Sequence, residues 1–184
     1  MSGSKSDGEI QRLMTDFAKR GYVAVAPNYR LGLYQTERNI NCNVSSIFDI
    51  PWNCLNIQDT TEWYRAYFRA IQDLKGVVSY ITKRSEAYSI NPNNVFRSGF
   101  SAGGFNALGI AFLDDNTEWP TIFTDQLADA KRPNARYDQG CIRRYAWDTS
   151  LASISLKRPS LGSLQGELNV PAMSDYKIKG VGNF

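Results

Sequence analysis

Six residues, Gly99-Phe100-Ser101-Ala102-Gly103-Gly104, constrain this chain more than any other segment. They follow a short run suited to a strand, Val95-Phe96-Arg97-Ser98. They precede a stretch whose apolar residues Phe105, Ala107, Leu108, Ala111 and Phe112 suit one face of a helix. A backbone that leaves a strand and enters a helix within so few residues must turn sharply. Bulky side chains two residues either side of Ser101 are expected to clash, which favours glycine at 99 and 103, while Gly104 lets the helix pack close to the strands. Arg97 is ill suited to a buried strand and needs a carboxylate or backbone partner.

The flanking segments predict alternating helices and strands. Ser6-Asp7-Gly8-Glu9 reads as a capping box, and Ile10, Leu13, Met14, Phe17 and Ala18 follow at the spacing of one helix face. Lys19, Arg20 and Gly21 close that helix, the glycine in a left-handed terminal conformation. Tyr22-Val23-Ala24-Val25-Ala26, ending at Pro27, reads as a buried parallel strand. Residues 33–58 read as an irregular excursion over the surface. A second helix is expected from a cap in Asp59-Thr60-Thr61-Glu62, with Trp63, Tyr67, Ala70, Ile71, Leu74, Val78 and Ile81 on its apolar face. It ends before the turn Asn91-Pro92-Asn93-Asn94. Residues 113–174 lack a clear period, with a short helix expected at 125–130; so long a connection reads equally as a cap over a site or as a surface insertion. Tyr176 to Gly182 reads as a last strand. The order predicts an α/β architecture in one domain over residues 1–184: a mostly parallel sheet flanked by helices, with a long insertion after the helix that follows Ser101.

Composition narrows the function classes. The chain has 184 residues, 42% of them hydrophobic, enough for one domain with a core. Its net charge is only +3, and the densest basic pairs, Lys131-Arg132 and Arg143-Arg144, are isolated, which argues against a nucleic-acid surface. No apolar run is long enough to span a bilayer, and the first residues do not read as a signal peptide. Cys42 and Cys54 flank a loop and can form a disulfide in an exported protein, while reduced thiols, Cys141 included, fit equally well. Compartment is left open, with a secreted or periplasmic full-length protein consistent with such a bridge. Asn43-Val44-Ser45 has the form of a glycosylation acceptor, a pattern short enough to arise by chance. Three cysteines without histidine give a zinc site little support.

The chemistry sits in the turn. The segment matches G-x-S-x-G in the strand-to-helix context that the motif requires. A nucleophilic serine must stand clear of the sheet, so Ser101 is expected in a strained conformation. The helix after it directs its positive end at the site, where the N–H of Ala102 can stabilise a developing oxyanion. The plain alternative is a glycine-rich turn carrying an incidental serine.

These residues resemble the nucleophile turn of the esterase/lipase branch of the α/β-hydrolase family. Phe17 to Gly32 is similar to the helix, strand and Tyr-Arg-Leu loop found upstream in carboxylesterases, and Ile71 to Asn94 to the helix and Asn-Pro turn before the nucleophile strand. The resemblance covers about residues 3–112 and the strand near 177–184. It implies Ser101 as nucleophile, Ala102 as one oxyanion donor, Gly99, Gly103 and Gly104 as turn glycines, and Tyr29 and Arg30 as structural. It implies a small-molecule ester as substrate and no metal or organic cofactor. Acetyl-xylan and feruloyl esterases and prolyl-oligopeptidase-like peptidases use the same turn, and a non-catalytic interaction module is the reading from a different class.

Three departures from the family matter. The chain has no histidine, and the family's acid and base would fall beyond Phe184; Asp114, Asp115 and Asp148 are not promoted to acid on proximity in sequence alone. The His-Gly-Gly oxyanion segment would precede a stretch resembling Ser2-Gly3-Ser4-Lys5, and the strand carrying it would lie between the strands matching 22–27 and 95–98. The resemblance thus implies a fragment lacking a central strand, with two edges left unpaired. The isolated chain is therefore expected to be poorly stable or to aggregate. Calorimetry checks this: a sharp cooperative unfolding transition from a soluble monomer would contradict it.

Overall fold

The computed structural model describes residues 5–30, 60–131, 155–165 and 176–183. The excursion at 33–58, all three cysteines, Asn43 and Asp148 lie outside these residues. In chain order the elements are α1 (Gly8–Ala18), α2 (Thr60–Thr82), β1 (Val95–Gly99), α3 (Ala102–Phe112), β2 (Leu127–Lys131), β3 (Ser155–Arg158) and β4 (Ile178–Asn183). The described residues fall into two units. One is drawn from Met1–Arg30, Phe68–Trp119 and Ser163–Phe184, the other from Leu31–Tyr67 and Pro120–Gly162. No helix among them is long and apolar enough to cross a membrane.

In the first unit, α1 begins one residue later than the capping-box pattern predicts. Its N-cap is Asp7, whose side chain makes no capping bond, and Glu9 places its charge in the first turn. The helix end follows the expected stop signal. Gly21 has φ 86°, its N–H donates to the Ala18 carbonyl at 3.0 Å, and the Tyr22 N–H reaches back to Phe17 at 3.2 Å. This is the Schellman pattern, and its hydrophobic contact is present as an edge-on Phe17–Tyr22 pair at 5.7 Å. Tyr22 in turn meets Phe96 of β1 edge-on at 6.0 Å.

The strand expected at 22–26 is not formed. Residues 22–30 have no regular secondary structure, and Val23 and Val25 stay about half exposed. A strand exists only through a ladder, and the apolar run finds none among the described residues. What anchors this segment is Arg30. Its backbone N–H and guanidinium both bond the Asp73 carboxylate of α2, at 2.8 to 3.0 Å, and Nη2 also reaches Gln72 Oε1 at 3.4 Å.

The sheet of this unit is a parallel pair. β1 and β4 align Phe96 with Gly180, Arg97 with Val181, Ser98 with Gly182 and Gly99 with Asn183. A parallel pair needs a crossover, and α3 lies in it, packed on both strands. The turn before β1 forms as expected: Asn91 Oδ1 accepts the Asn93 N–H at 2.9 Å, and the Pro92 carbonyl accepts the Lys177 N–H at 2.9 Å, joining the starts of the two strands. Phe96 lies over Gly180, where a Cβ would come within 3.1 Å of its ring.

The helix α2 spans the predicted range, but its buried stripe differs from the predicted apolar one. Trp63 is exposed, whereas Arg65, Arg69, Gln72, Lys75, Ser79 and Thr82 are buried at helical spacing beside Phe68, Ala70 and Ile71. With Ala107, Ile110, Trp119 and Leu164, the apolar residues from Phe68 on form the core of the first unit. Each fully buried large side chain contributes about 1.5–3 kcal/mol relative to exposure. Polar neighbours hold the chain onto this core: Gln72 Nε2 donates to the Ser163 carbonyl at 2.6 Å, and Asn116 Oδ1 accepts the Leu164 N–H at 2.8 Å. Arg97 meets neither a carboxylate nor a backbone carbonyl in any bond among the described residues; its Nη2 donates to the Tyr176 hydroxyl at 3.3 Å. Burial holds its pKa below the ordinary value, offset in part by that tyrosine.

The second unit is organised around Arg65, fully buried in the first turns of α2. Its guanidinium donates to the carbonyls of Phe123 at 2.8 Å, Asp125 at 3.0 Å and Pro159. Tyr64 stacks on Phe123 at 4.3 Å, and the Leu161 N–H bonds the Thr124 carbonyl at 2.7 Å. The helix expected at 125–130 is instead strand β2, paired antiparallel with β3. Arg158 secures the pair by donating from Nε to the Ala128 carbonyl at 2.7 Å. Long-range pairing thus overrides the local preference of that segment.

Lys75 yields a pH prediction. It is buried, and desolvation, followed by the nearby Arg97 charge, lowers its pKa to about 8, against the pull of Asp114 and Glu118. Below pH 8 both folded and unfolded states hold the proton. Between about 8 and the ordinary value of 10.5 the folded state releases it first, so stability rises with pH. Tyr176, whose pKa burial raises, acts in the opposite sense above pH 10. From pH 8 to 10, urea unfolding is expected to show a gain on the order of 1–2 kcal/mol from Lys75, absent in Lys75→Met.

Candidate active site

Strand β1 delivers the chain to the turn with Val95, Arg97 and Gly99 partly buried and Phe96 and Ser98 exposed. The turn is tight because backbone meets backbone. A Cβ at Gly99 would lie 2.1 Å from the Gly103 carbonyl carbon, 2.2 Å from its oxygen and 2.6 Å from the Gly104 nitrogen. At Gly104 a Cβ would lie 1.8 Å from Asn183 Oδ1 and 3.1 Å from the Gly99 carbonyl oxygen. Gly103 differs from the expectation: a Cβ there would meet nothing within 4 Å, because the position faces open space. The close approach therefore rests on Gly99 and Gly104.

Ser101 sits at the apex with φ 53° and ψ −117°, a conformation that L-residues rarely adopt and that costs on the order of 1–3 kcal/mol. Three backbone bonds hold it. Gly103 N–H donates to the Phe100 carbonyl at 2.9 Å, and the N–H groups of Gly104 and Phe105 donate to the Ser101 carbonyl at 2.9 and 3.2 Å. Ser101 is the N-cap of α3, yet its hydroxyl makes no capping bond and the residue is exposed. Ala102 opens the helix, so its N–H has no acceptor within it and lies at the positive end of the dipole. Among the described residues, neither the Ser101 hydroxyl nor the Ala102 N–H beside it has a hydrogen-bond partner.

The walls of this turn depart from the predicted helix face. Phe105 and Phe112 are 64% and 69% exposed, and the buried face of α3 is Gly104, Asn106, Ala107, Gly109 and Ile110. Phe100 is 75% exposed, so aromatic surface stands on both sides of Ser101 in the chain. Apolar spacing alone placed Phe105 inward; the close packing of Gly104 on β4 turns the opposite side of the helix to the sheet.

Among the acidic residues near α3, Asp115 is engaged locally. Its Oδ1 accepts the Thr117 N–H at 2.7 Å, and Glu118 Oε2 accepts the N–H groups of Asp114 and Asp115 at 2.9 and 3.2 Å. This capping box closes a short 3-10 turn at Asn116–Glu118, and the bond from Thr117 holds the Asp115 carboxyl below its usual pKa. Among the described residues no group of three or more Cys, Asp or Glu is placed to hold a metal ion.

Asn183 is the site neighbour that the sequence did not reveal. It ends β4 opposite Gly99 and lies against Gly104, but no motif marks it. The one available hint was Gly104, a glycine requiring close approach by something outside the turn.

The profile of one protein family, BD-FAE, matches residues 34–141, more than half of the chain and including the whole of the turn and α3. No curated protein and no solved structure matches the chain.

The glycines give opposite expectations. Gly99→Ala forces two backbone segments apart and should cost about 3 kcal/mol or more, at the upper end for overpacking. Gly103→Ala, in the first turn of α3 with open space around it, should be neutral or stabilising by up to about 1 kcal/mol. Paired urea denaturation curves of the two variants check the contrast.

Proposed function

The chain belongs to the BD-FAE family, a family of α/β-hydrolase-like esterase domains, and on that premise we propose that Ser101 is the nucleophile of a carboxylic-ester hydrolase. The observation that carries the reading is the backbone of Ser101, held at φ 53° between a strand and a helix with its hydroxyl exposed. Incidental serines in glycine-rich turns have no need of such strain; a nucleophile that must stand clear of the sheet does.

In this reading the Ser101 hydroxyl attacks the ester carbonyl. Negative charge builds on the carbonyl oxygen, and the Ala102 N–H stabilises it at the helix end. Collapse expels the alcohol and leaves an acyl group on Ser101, which water then removes. Both steps need a base to take the proton from the attacking oxygen, because a serine hydroxyl is a weak nucleophile. The 184 residues contain no histidine to serve as that base. With these residues alone, turnover is proposed to be residual. Loss of a triad member leaves at best about 10³–10⁴-fold over water. The oxyanion donor proposed among the described residues is a single N–H, so the lower end of that range is expected. The substrate is a small-molecule ester, and the chemistry requires no metal or organic cofactor.

The missing histidine favours a second reading, a hydrolase-like module that binds without catalysis. One experiment separates them. A fluorophosphonate probe is expected to label the chain slowly, at Ser101, and not in Ser101→Ala, while p-nitrophenyl acetate is hydrolysed only marginally. Peptide mapping without label at Ser101 would favour the binding module. Robust ester hydrolysis lost in Ser101→Ala would overturn the claim of residual turnover.

A further inference from the structure

We propose that Asn183 is the positioning residue of the Ser101 turn, acting by contact of its side chain with Gly104. The proposal rests on the reading of Ser101 as nucleophile and assigns to a residue outside the motif the task of holding that nucleophile in place.

The strained backbone of Ser101 persists only if the surroundings over-determine it. Two anchors do so, and Asn183 touches both. Its backbone is the ladder partner of Gly99, the last residue before the turn. Its carboxamide lies against the Cα of Gly104, so close that a Cβ there would be 1.8 Å from Oδ1 and 2.6 Å from Cγ. Gly104 in turn donates its N–H to the Ser101 carbonyl at 2.9 Å. One residue of β4 therefore meets both ends of the segment 99–104. If the side chain were shortened, the first turn of α3 could slide over the end of β4, and Ser101 could relax toward an ordinary φ.

The contact that the carboxamide makes with Gly104 is one of close packing against its Cα, and the proposal assigns the effect to that shape. This separates the proposal from a role in binding charge. Leucine has the same branching and nearly the same length without the amide, and should replace asparagine here. Alanine should not.

The test uses the full chain and two readouts. In the first, Ser101→Cys places a thiol at the apex, and its ionisation is followed by thiolate absorbance against the unsubstituted chain, so that Cys42, Cys54 and Cys141 cancel. A thiol at a helix N-terminus titrates well below the ordinary value of about 8.5. Adding Asn183→Ala is expected to raise it by about one unit as the thiol leaves the helix axis, whereas Asn183→Leu keeps it low. In the second, amide hydrogen exchange at Gly104 and Phe105 reports the two bonds to the Ser101 carbonyl. Asn183→Ala should lose about tenfold in protection, on the order of 1.4 kcal/mol, and Asn183→Leu should retain it. Unchanged exchange in Asn183→Ala overturns the proposal, and an equal loss in Asn183→Leu overturns the contact mechanism. If Asn183→Ala does not fold, Asn183→Ser takes its place with the same expectations. An ordinary thiol ionisation with Asn183 intact would instead count against Ser101 as nucleophile, while the exchange data would still decide the role of Asn183.

Discussion

The contact of backbone on backbone at Gly99 is the constraint on which the site depends. The first turn of α3 folds back onto the last residue of β1 until no atom fits between them. That approach fixes the angle at which the helix leaves the strand, and the angle leaves Ser101 at the apex with positive φ. The strain is local, but what sustains it is distributed. The ladder to β4, the packing of α3 on both strands and the bonds to the Ser101 carbonyl each remove one way for the turn to relax. If Ser101 acts as the proposed nucleophile, a side chain held in this manner spends no reorganisation at the moment of attack, which is the physical advantage of placing it on a scaffold of regular elements.

Away from the turn, both units use buried cations as organisers. Arg65 gathers carbonyls of Phe123, Asp125 and Pro159 that belong to no common element, and its planar fork can serve several acceptors at once. Such charge-assisted bonds offset a desolvation cost that an apolar side chain would not incur, and in return they specify which loops meet. Lys75 and Arg97 are placed less comfortably in the first unit: burial lowers the proton affinity of both, and for Lys75 the Arg97 charge adds to that, with Asp114 and Glu118 opposing. The Arg30–Asp73 pair, by contrast, is partly open to solvent and acts mainly by fixing the position of the chain after α1.

Membership of the BD-FAE family and the geometry of the turn bear on different parts of a hydrolytic reaction. On the proposed reading, the turn concerns the attacking atom and part of the charge stabilisation. The proton acceptor is a separate requirement, and serine chemistry fails without it however well the hydroxyl is placed. On the proposed reading, a strained, exposed serine beside a helix N-terminal N–H would be the preorganised half of a catalytic apparatus. The strand–turn–helix itself was open to prediction from six residues because glycine placement and short-range periodicity are local signals.

The sequence by itself determined α1 and its glycine stop, the extent of α2, the Asn-Pro turn, the strand–turn–helix around Ser101 and the last strand. Each follows from short-range periodicity, capping or glycine chemistry, which depend on neighbours within a few residues. Only the tertiary structure decided the rest. Tyr22 to Ala26 has the composition of a strand but no ladder among the described residues, and residues 127–131 took a strand over the expected short helix because β3 lies beside them. The polar stripe of α2 is buried because distant carbonyls and charges meet it, and hydropathy periodicity is blind to such partners. Gly103 has the look of a steric requirement and proves free of one, while Asn183, seventy-nine residues beyond Gly104, has no motif and stands against the turn. Non-local contact is what separates the two cases, since a close approach is a property of two segments and a sequence displays them one at a time.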